Sequence, residues 1–195
     1  MIAGLLLAAG GGSRFGGPKA LAVLKGQFLV ERGIGLLADG GCDPIHVVLG
    51  AAIADVRARA DLSRAVVVAN PDWPAGLSTS LRAGLQSLPA PVQAVVIALA
   101  DQPLLSPAAV RRVRQAYNEG ATVVMATYAG RPGHPVLLAR SAWAGVAALA
   151  SGDEGARAFV RANPSLVTHV ACDDLGSPAD VDRPADLDAL ADSAD

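Results

Sequence analysis

The chain has few aromatic residues, few cysteines and no large excess of charge, and each shortage excludes a class of protein. Aromatic residues make up 4% of its 195 residues although 52% are hydrophobic, so Ala, Val and Leu must form the core. Such a core is typical of helices packed on a buried parallel sheet rather than of an aromatic-rich β-sandwich. The two cysteines are far apart in sequence and suit neither a disulfide framework nor a zinc site, which indicates a reducing compartment.

Charge and hydropathy narrow the set of partners. The formal net charge is −2 at pH 7, and this balance argues against a basic nucleic-acid-binding surface. The longest apolar runs fall far short of the roughly 20 residues that a membrane-spanning helix needs. Met1 leads directly into an apolar run without a basic leader, so we expect no secretory signal peptide. We therefore expect a cytoplasmic protein that binds neither nucleic acid nor membrane.

Short apolar runs alternate with helical patterns along most of the chain. Five runs predict buried strands, at residues 5–7, 45–49, 65–69, 95–100 and 122–126. Helical patterns are found at residues 28–38 and 53–60, after the polar segment 72–82, and from Pro107 to the Gly120 stop. This alternation predicts a parallel sheet with right-handed crossovers. Further along we expect a stiff loop at 130–135, a strand at 166–170 and a frayed terminal helix from Asp188.

The first strand runs into a loop with five glycines, which contains Arg14 and ends on Lys19. Glycines let backbone N–H groups approach a ligand, and such groups form an anion-binding concavity to which the two cations add charge. The loop suits a nucleoside-triphosphate cradle, but an ordinary tight turn with two solvated cations explains it equally well. It is not a dinucleotide fingerprint, because no acidic residue ends a second strand about 20 positions later. A Walker A loop is also excluded, because Lys19 is followed by Ala20.

Acidic residues occur at two places that suit a metal. Asp101 directly follows the apolar run 95–100, at the rim of the core, where an unpaired charge is costly. A bound Mg²⁺ resolves that cost, because it takes oxygen ligands from carboxylates and substrate phosphates; a turn cap is the equal alternative. Asp180 and Asp182 share one face of an extended segment, and they either complete a metal site or cap the terminal helix.

Four further polar residues have both a ligand-binding and a structural explanation. Ser78 and Ser80 occupy positions where helix N-caps and phosphate or ribose contacts are made. His134 in the stiff loop suits contact with a substrate phosphate or a purely structural role. Asp153, in a polar turn before a helix, has the same two explanations.

Five segments together carry a resemblance to a known family: residues 7–21, 99–103, 133–138, 152–157 and 180–187. They resemble the MobA-like nucleoside-triphosphate transferases and, within these, the molybdenum cofactor cytidylyltransferase group. The resemblance spans nearly the whole chain in order. It implies one Rossmann-like, three-layer α/β/α domain over residues 1–195, with a mostly parallel sheet of the nucleotide-diphospho-sugar transferase type. One departure is Arg183, which stands where the family pattern Asp-Ile-Asp-Thr-Pro has threonine.

The resemblance also implies roles for individual residues. Arg14, Lys19 and Asp101 are the implied catalytic residues, and Asp101 and Asp182 the implied ligands of Mg²⁺, with Mn²⁺ as a substitute. The implied nucleotide contacts are Leu7, Ala8, Ala9, Gly10, Gly11, Gly12, Ser13, Arg14, Lys19, Asn70, Gly76, Ser78 and Ser80. Candidates for acceptor contacts are Gln102, Gly133, His134 and Asp153.

The implied reaction transfers CMP from CTP to the terminal phosphate of molybdopterin and releases pyrophosphate. The Ala8-Ala9-Gly10 form of the loop and Gln102 resemble the cytidylyl group more than the guanylyl group. Three alternatives stay open: a GTP-dependent guanylyltransferase of the same cofactor, a nucleotide-sugar pyrophosphorylase, and a carrier that binds nucleotide or cofactor without transfer. The resemblance also implies a protein partner that receives the product, either a client molybdoenzyme or its chaperone.

Overall fold

The computed structural model of the protein describes residues 1–192 as strands and helices joined by short loops. The strands are β1 (Ile2–Leu7), β2 (Val23–Leu24), β3 (Gln27–Phe28), β4 (Ile45–Leu49), β5 (Val66–Ala69), β6 (Ala94–Leu99), β7 (Val123–Tyr128), β8 (Arg131–Ala139) and β9 (Val167–Ala171). The helices are α1 (Leu29–Asp39), α2 (Ile53–Arg59), α3 (Leu77–Ser87), α4 (Pro107–Asn118), α5 (Arg140–Leu149), α6 (Arg157–Ala162) and α7 (Pro184–Asp192).

Seven strands form one sheet in the order β5-β4-β1-β6-β8-β7-β9. All neighbours pair in parallel except β8, which is antiparallel to both β6 and β7. Strands β2 and β3 form a separate small hairpin. The sheet, with helices on both faces, confirms the predicted single-domain α/β fold with a mostly parallel sheet.

Strand β1 lies inside the sheet, between β4 and β6, and contributes to both faces of the core. Successive side chains of a strand point to opposite faces, so Leu5 faces α3 while Leu6 faces α1. Both leucines are fully buried. Glycines bring the helices close: a Cβ atom on Gly33 of α1 would lie 2.5 Å from Cδ1 of Leu6, and one on Gly84 of α3 the same distance from Cδ1 of Leu5.

The predicted stiff loop at 130–135 is wrong, because this segment is the first half of β8. Arg131 pairs with Tyr128 and Gly133 with Ala126, and the register of the pair then shifts. The reversal of the chain is confined to residues 129–130, both with positive φ. Two prolines gave the segment the pattern of a loop, since proline cannot donate to a strand ladder. The β2–β3 hairpin was not predicted either, because strands of two residues have no detectable periodicity.

The C-terminal segment is helical, as the sequence indicates. Helix α7 begins at Pro184 and extends to Asp192. The last three residues of the predicted frayed end, 193–195, lie outside the described residues. Within residues 1–192, no helix has both the length and the apolar character needed to cross a membrane.

We expect Gly33→Ala to lower the free energy of unfolding by roughly 1–3 kcal/mol, because the added methyl group overlaps Leu6 in a packed core. Gly35→Ala in the same helix is the matched control. No atom lies within 4 Å of the Cβ position at Gly35, so alanine there should stabilise the helix by about 0.5–1 kcal/mol. Urea unfolding measures both changes, and equal stabilities of the two variants would contradict the close packing of α1 on β1.

Candidate active site

A cleft of about 500 Å³ opens at the edge of the sheet where β1 and β6 end. The carboxyl ends of parallel strands meet at one edge, so the loops that follow β1 and β6 become neighbours there. The residues singled out in the sequence that line this cleft are Leu7, Ala8, Ala9, Gly10, Gly12, Ser13, Arg14, Lys19, Gly76, Ser80, Asp101, Asp153 and Asp182. The fold thus brings together the glycine loop, the aspartate after β6 and the C-terminal aspartate.

Lys19 lies between two carboxylates at this site. Its Nζ donates to Oδ2 of Asp101 at 3.0 Å and to Oδ1 of Asp182 at 2.7 Å. The Lys19 side chain is 18% exposed, whereas that of Asp182 is 50% exposed. Arg14 is more loosely placed, with Nη1 3.6 Å from Oδ2 of Asp182. The site therefore holds an ammonium group that is shared by two acidic side chains.

The electrostatics of this group follow from its burial and its partners. Burial lowers the pKa of Lys19, but its hydrogen bonds to Asp182 and Asp101 and their negative charges outweigh that effect and raise the pKa above 10.5. The same hydrogen bond from Lys19 holds the pKa of Asp182 below its ordinary value of 3.8. Lys19 and Asp182 are therefore both charged near neutral pH.

Backbone hydrogen bonds fix the position of Asp182. The N–H of Val181 donates to the carbonyl oxygen of Asp101 at 2.8 Å, which ties the two acidic segments together. Oδ2 of Asp186 accepts from the N–H groups of Asp182 at 2.8 Å and Arg183 at 2.7 Å. Asp186, rather than Asp180 or Asp182, therefore caps the terminal helix, and the Asp182 carboxylate is left to face Lys19.

Two of the predicted nucleotide contacts, Asn70 and Ser78, are buried and do not line the cleft. Asn70 is buried, and its Nδ2 donates to Oγ1 of Thr79 at 2.9 Å and to Oγ of Ser80 at 3.0 Å, while its Oδ1 accepts from the N–H of Asp72. Ser78 is also buried and lies within α3. The suggestion that Ser78 and Ser80 cap this helix is wrong. The helix begins at Leu77, so Gly76 occupies the N-cap position and both serines lie inside the helix.

Among the acceptor candidates, only Asp153 lines the cleft, and its Oδ1 accepts from the N–H of Leu77 at 3.2 Å. Gln102 is buried, and its Nε2 donates to Oδ1 of Asp180 at 2.7 Å. Burial raises the pKa of Asp180. His134 lies in β8, where burial, aided by the charge of Arg157, lowers its pKa to about 4.

Two glycines from the predicted set also have structural contacts. A Cβ atom on Gly11 would lie 2.9 Å from Cη2 of Trp73, and one on Gly133 would lie 3.3 Å from Cδ2 of Tyr128. Each glycine is therefore packed directly against an aromatic ring. Neither lines the cleft.

Sequence reasoning missed the apolar wall of the cleft, which is formed by Trp73, Pro74 and Leu77. The only sequence signal of this wall is its place in the segment 70–80, whose polar residues suggest ligand contacts. The contact of Trp73 with Gly11 joins residues far apart in the chain and has no local pattern.

The donor set at the site suits a divalent cation that arrives with its substrate. Within residues 1–192, no cluster of three or more His, Cys, Asp or Glu side chains could hold a metal by itself. Mg²⁺ is commonly bound by one or two carboxylates, with substrate phosphates and water completing its shell. Asp101 and Asp182 already face a common cation, the Lys19 ammonium, and therefore fit this arrangement.

A match to a known protein family identifies the relatives of this chain. Residues 4–169 match the family described as the MobA-like NTP transferase domain. The chain belongs to the MobA-like NTP transferase family. One protein similar in sequence to this MobA-like chain is the nicotine blue oxidoreductase of Paenarthrobacter nicotinovorans. The two are 38% identical over 189 residues, which cover 93% of this chain and 92% of the relative.

Solved structures agree with this assignment. Rv0371c from Mycobacterium tuberculosis is 30% identical, with a TM-score of 0.85 over 98% of this chain and 97% of that one. The same protein in complex with manganese has a TM-score of 0.81 at 30% identity and covers 99% of both chains. A nucleotidyl transferase from Methanothermobacter shares the fold, with a TM-score of 0.82 at 24% identity over 99% of this chain and 97% of that one. The MobA-like chain is thus an enzyme of the nucleotidyltransferase class.

We expect Lys19→Met to raise the pKa of Asp182 toward 3.8, because the variant loses the hydrogen bond and positive charge that favour the carboxylate. The stabilisation that Lys19 gives through Asp182 is present above the unfolded pKa and is lost as the pH falls through the lower folded pKa. The stability difference between wild type and variant should therefore shrink on acidification. Carboxyl-carbon NMR titration and urea unfolding across acidic pH measure the two effects.

The control for this prediction is Arg14→Met, which removes the more distant and more exposed partner of Asp182. It should change the pKa of Asp182 less than Lys19→Met does. A larger effect of Arg14→Met would mean that Lys19 does not dominate the electrostatics of the site.

Proposed function

We propose that the protein transfers CMP from CTP to the terminal phosphate of molybdopterin, the acceptor in molybdenum cofactor maturation, and releases pyrophosphate. The observation that carries this proposal is the placement of Lys19 between Asp101 and Asp182 in a cleft bordered by the glycine loop. A triphosphate needs positive charge and backbone donors, and its metal ion needs carboxylates. All of these groups meet at this one edge of the sheet.

In this proposal each charged residue of the cleft has a task. Arg14 and Lys19 donate to phosphate oxygens, and Lys19 exchanges its carboxylate partners for the more highly charged triphosphate. Asp101 and Asp182 would hold Mg²⁺, or Mn²⁺ in its place, and the ion supplies charge neutralisation at the phosphates. The N–H groups of Gly10, Gly12 and Ser13 would add donors at the cleft rim. Together these groups favour the extra negative charge on the departing pyrophosphate.

The reaction requires no general base from the protein. The acceptor phosphate is a monoester whose second pKa is about 6, so it is largely a dianion at neutral pH. One of its oxygens attacks the α-phosphorus of CTP, and the bond from that phosphorus to the oxygen bridging to the β-phosphorus breaks as pyrophosphate leaves. Catalysis then consists of positioning and electrostatic stabilisation. The absence of a histidine among the residues that line the cleft within the described chain is compatible with this mechanism.

The acceptor is proposed to approach from the side of β6 and β8. Asp153 lines the cleft, while Gln102, Gly133 and His134 lie at the same edge of the sheet outside it. We retain all four as acceptor-side residues. CTP is favoured over GTP by the Ala8-Ala9-Gly10 form of the loop and by Gln102, and a nucleotide-sugar pyrophosphorylase would use the same cleft with a sugar phosphate.

A second candidate function is a redox reaction, and the relative named nicotine blue oxidoreductase favours it. In that case the cleft would hold an electron donor and an organic acceptor in place of a nucleoside triphosphate. The two functions differ in chemistry, because a redox reaction consumes an electron donor and releases no pyrophosphate.

The deciding experiment mixes the purified protein with Mg²⁺, molybdopterin and each of CTP, GTP, ATP and UTP, and measures pyrophosphate. We expect release with CTP, and a loss of at least about 100-fold in Asp101→Ala and Lys19→Ala, since such electrostatic groups act on the transition state. Arg57→Ala, a cation on the exposed face of α2, is the matched control and should leave the rate unchanged. Circular dichroism checks that each variant is folded.

Each alternative function has its own result in this assay. Release with GTP alone would identify a guanylyltransferase, and nucleotide binding without release would identify a carrier. Oxidation of NADH or NADPH with an organic acceptor, and no pyrophosphate from any nucleotide, would establish the redox function. Near-normal transfer by Asp101→Ala would contradict the proposed site.

A further inference from the structure

A second cavity, of about 290 Å³, lies on the face of the sheet that α1 covers. It is bounded by α1, by the end of β6 with the loop that follows, and by Pro107 at the start of α4. The cavity shares Leu99 and Ala100 with the cleft, but residues of α3, on the opposite face of the sheet, line only the cleft. No residue of α1 takes part in the proposed transfer.

Two glycines of α1 border this cavity, Gly33 and Gly35, and neither has a side chain to fill it. The Cβ position at Gly33 is covered by Leu6, whereas no atom lies within 4 Å of the Cβ position at Gly35. Gly35 therefore borders the open part of the cavity, where an added Cβ atom would displace no other residue.

Arg32 brings a positive charge to the cavity that no carboxylate neutralises. Within residues 1–192 it forms no ion pair. Its guanidinium makes one hydrogen bond in this part of the chain, a long one of 3.5 Å from Nη2 to the carbonyl oxygen of Pro103. Its Nε is buried and has no acceptor there. Because a buried N–H without an acceptor costs free energy, an anion in the cavity would be stabilised by Arg32.

Gln102, which also lines the cavity, has the complementary group. The residue is 7% exposed, and its Nε2 donates to Oδ1 of Asp180 at 2.7 Å and to the carbonyl oxygen of Pro178 at 3.2 Å. These two bonds hold the amide nitrogen against the C-terminal segment. Its Oε1 is buried and accepts no hydrogen bond from any residue of 1–192. The cavity is thus lined by one residue whose donor lacks an acceptor and one whose acceptor lacks a donor.

The other charges around the cavity also favour an anion. Arg64 and Asp39 line it and form an exposed ion pair, with Nη2 3.2 Å from Oδ1. Such a pair contributes little stability, so an anionic ligand can compete with Asp39 for Arg64. With Arg32, the cavity has two cations for one carboxylate. The start of α4 at Pro107 adds the positive end of a helix dipole.

We propose that this cavity is a second binding site, for a small phosphate or carboxylate anion that also bears a hydroxyl or amino group. The anion accepts from Nε of Arg32, and the hydroxyl or amino group donates to Oε1 of Gln102. A cavity of this volume lies at the small end of the range for ligand sites and suits a molecule smaller than a nucleotide. Because Gln102 directly follows Asp101, a bound molecule touches the loop that carries this proposed metal ligand.

The first test is calorimetric binding of glycerol 3-phosphate and of glycerate to the full-length protein, without Mg²⁺. The two probes carry hydroxyl groups beside a phosphate and a carboxylate respectively, so the one that binds identifies the anion. Propyl phosphate and propionate are the matched probes without hydroxyl groups. We expect the matched probe to bind about threefold to tenfold more weakly, because it cannot donate to Gln102.

Variants of the protein locate the bound anion. Arg32→Met should weaken binding by at least about tenfold, the effect of losing a hydrogen bond to a charged group. Gly35→Leu should abolish binding by occupying the cavity, and it tests the site even if Arg32→Met does not fold. The affinity should be unchanged in two controls: Arg57→Met, which removes an exposed cation of α2, and Lys19→Met, which alters only the cleft. Urea unfolding checks that each variant is folded.

The Nε–H signal of Arg32 in a proton–nitrogen NMR spectrum gives a direct readout of contact. This signal should shift when the anion binds. The Nε of Arg114 is the matched control, because it is also buried without an acceptor in the described part of the chain but does not line the cavity. Its signal should stay in place.

Three results would overturn this second site. If neither glycerol 3-phosphate nor glycerate binds saturably, water alone satisfies Arg32 and Gln102. If binding survives in Arg32→Met and Gly35→Leu but is lost in Lys19→Met, the anion lies in the cleft. If the Arg32 signal does not shift at saturation, the proposed contact is wrong. None of these results bears on nucleotidyl transfer, which the release of pyrophosphate tests separately.

Discussion

The contact on which the cleft depends is the Lys19 ammonium group, which is shared by the carboxylates of Asp101 and Asp182. It joins three distant parts of the chain. Lys19 is 82 residues from Asp101 and 163 residues from Asp182 in sequence. Lys19 comes from the loop after β1, Asp101 from the end of β6, and Asp182 from the segment before the last helix. The parallel arrangement of β1 and β6 brings Lys19 and Asp101 to one edge of the sheet. The C-terminal segment then joins them through the hydrogen bond of Val181 to Asp101.

Such a group is a poor way to stabilise a protein. A partly buried ion pair must repay the loss of hydration of both partners, and apolar side chains of similar volume would do as well or better. The packing of Leu5 and Leu6 against the glycines of two helices already supplies a dense core at this place. The charges at the cleft are therefore best understood through what they bind.

The sequence predicts most of the fold because buried strands in a parallel sheet are continuous apolar runs, which contrast sharply with their surroundings. It fails at β8, where two prolines conceal an antiparallel strand. The sequence identifies those parts of the candidate site that directly follow a buried strand, namely Asp101 and the glycine loop. Roles are harder to assign: Asn70 and Ser78 are residue types that often contact ligands, yet both are buried, and the side chain of Asn70 bonds to Thr79, Ser80 and Asp72. The place of Trp73 is not predicted, because it packs against glycines, and a glycine in a sequence does not indicate which side chain it contacts.

The link between the two walls of the cleft has a mechanical consequence. The N–H of Leu77 donates to Asp153, and that of Ser78 donates to the carbonyl oxygen of Gly152 at 2.9 Å. Arg82, one turn further along α3, bonds the carbonyl oxygens of Ala147 and Ala150 at the end of α5. The start of α3 and the segment 147–153 are therefore tied together by hydrogen bonds of both backbone and side-chain groups. Displacing either one would break these hydrogen bonds, so each limits how far the other can shift.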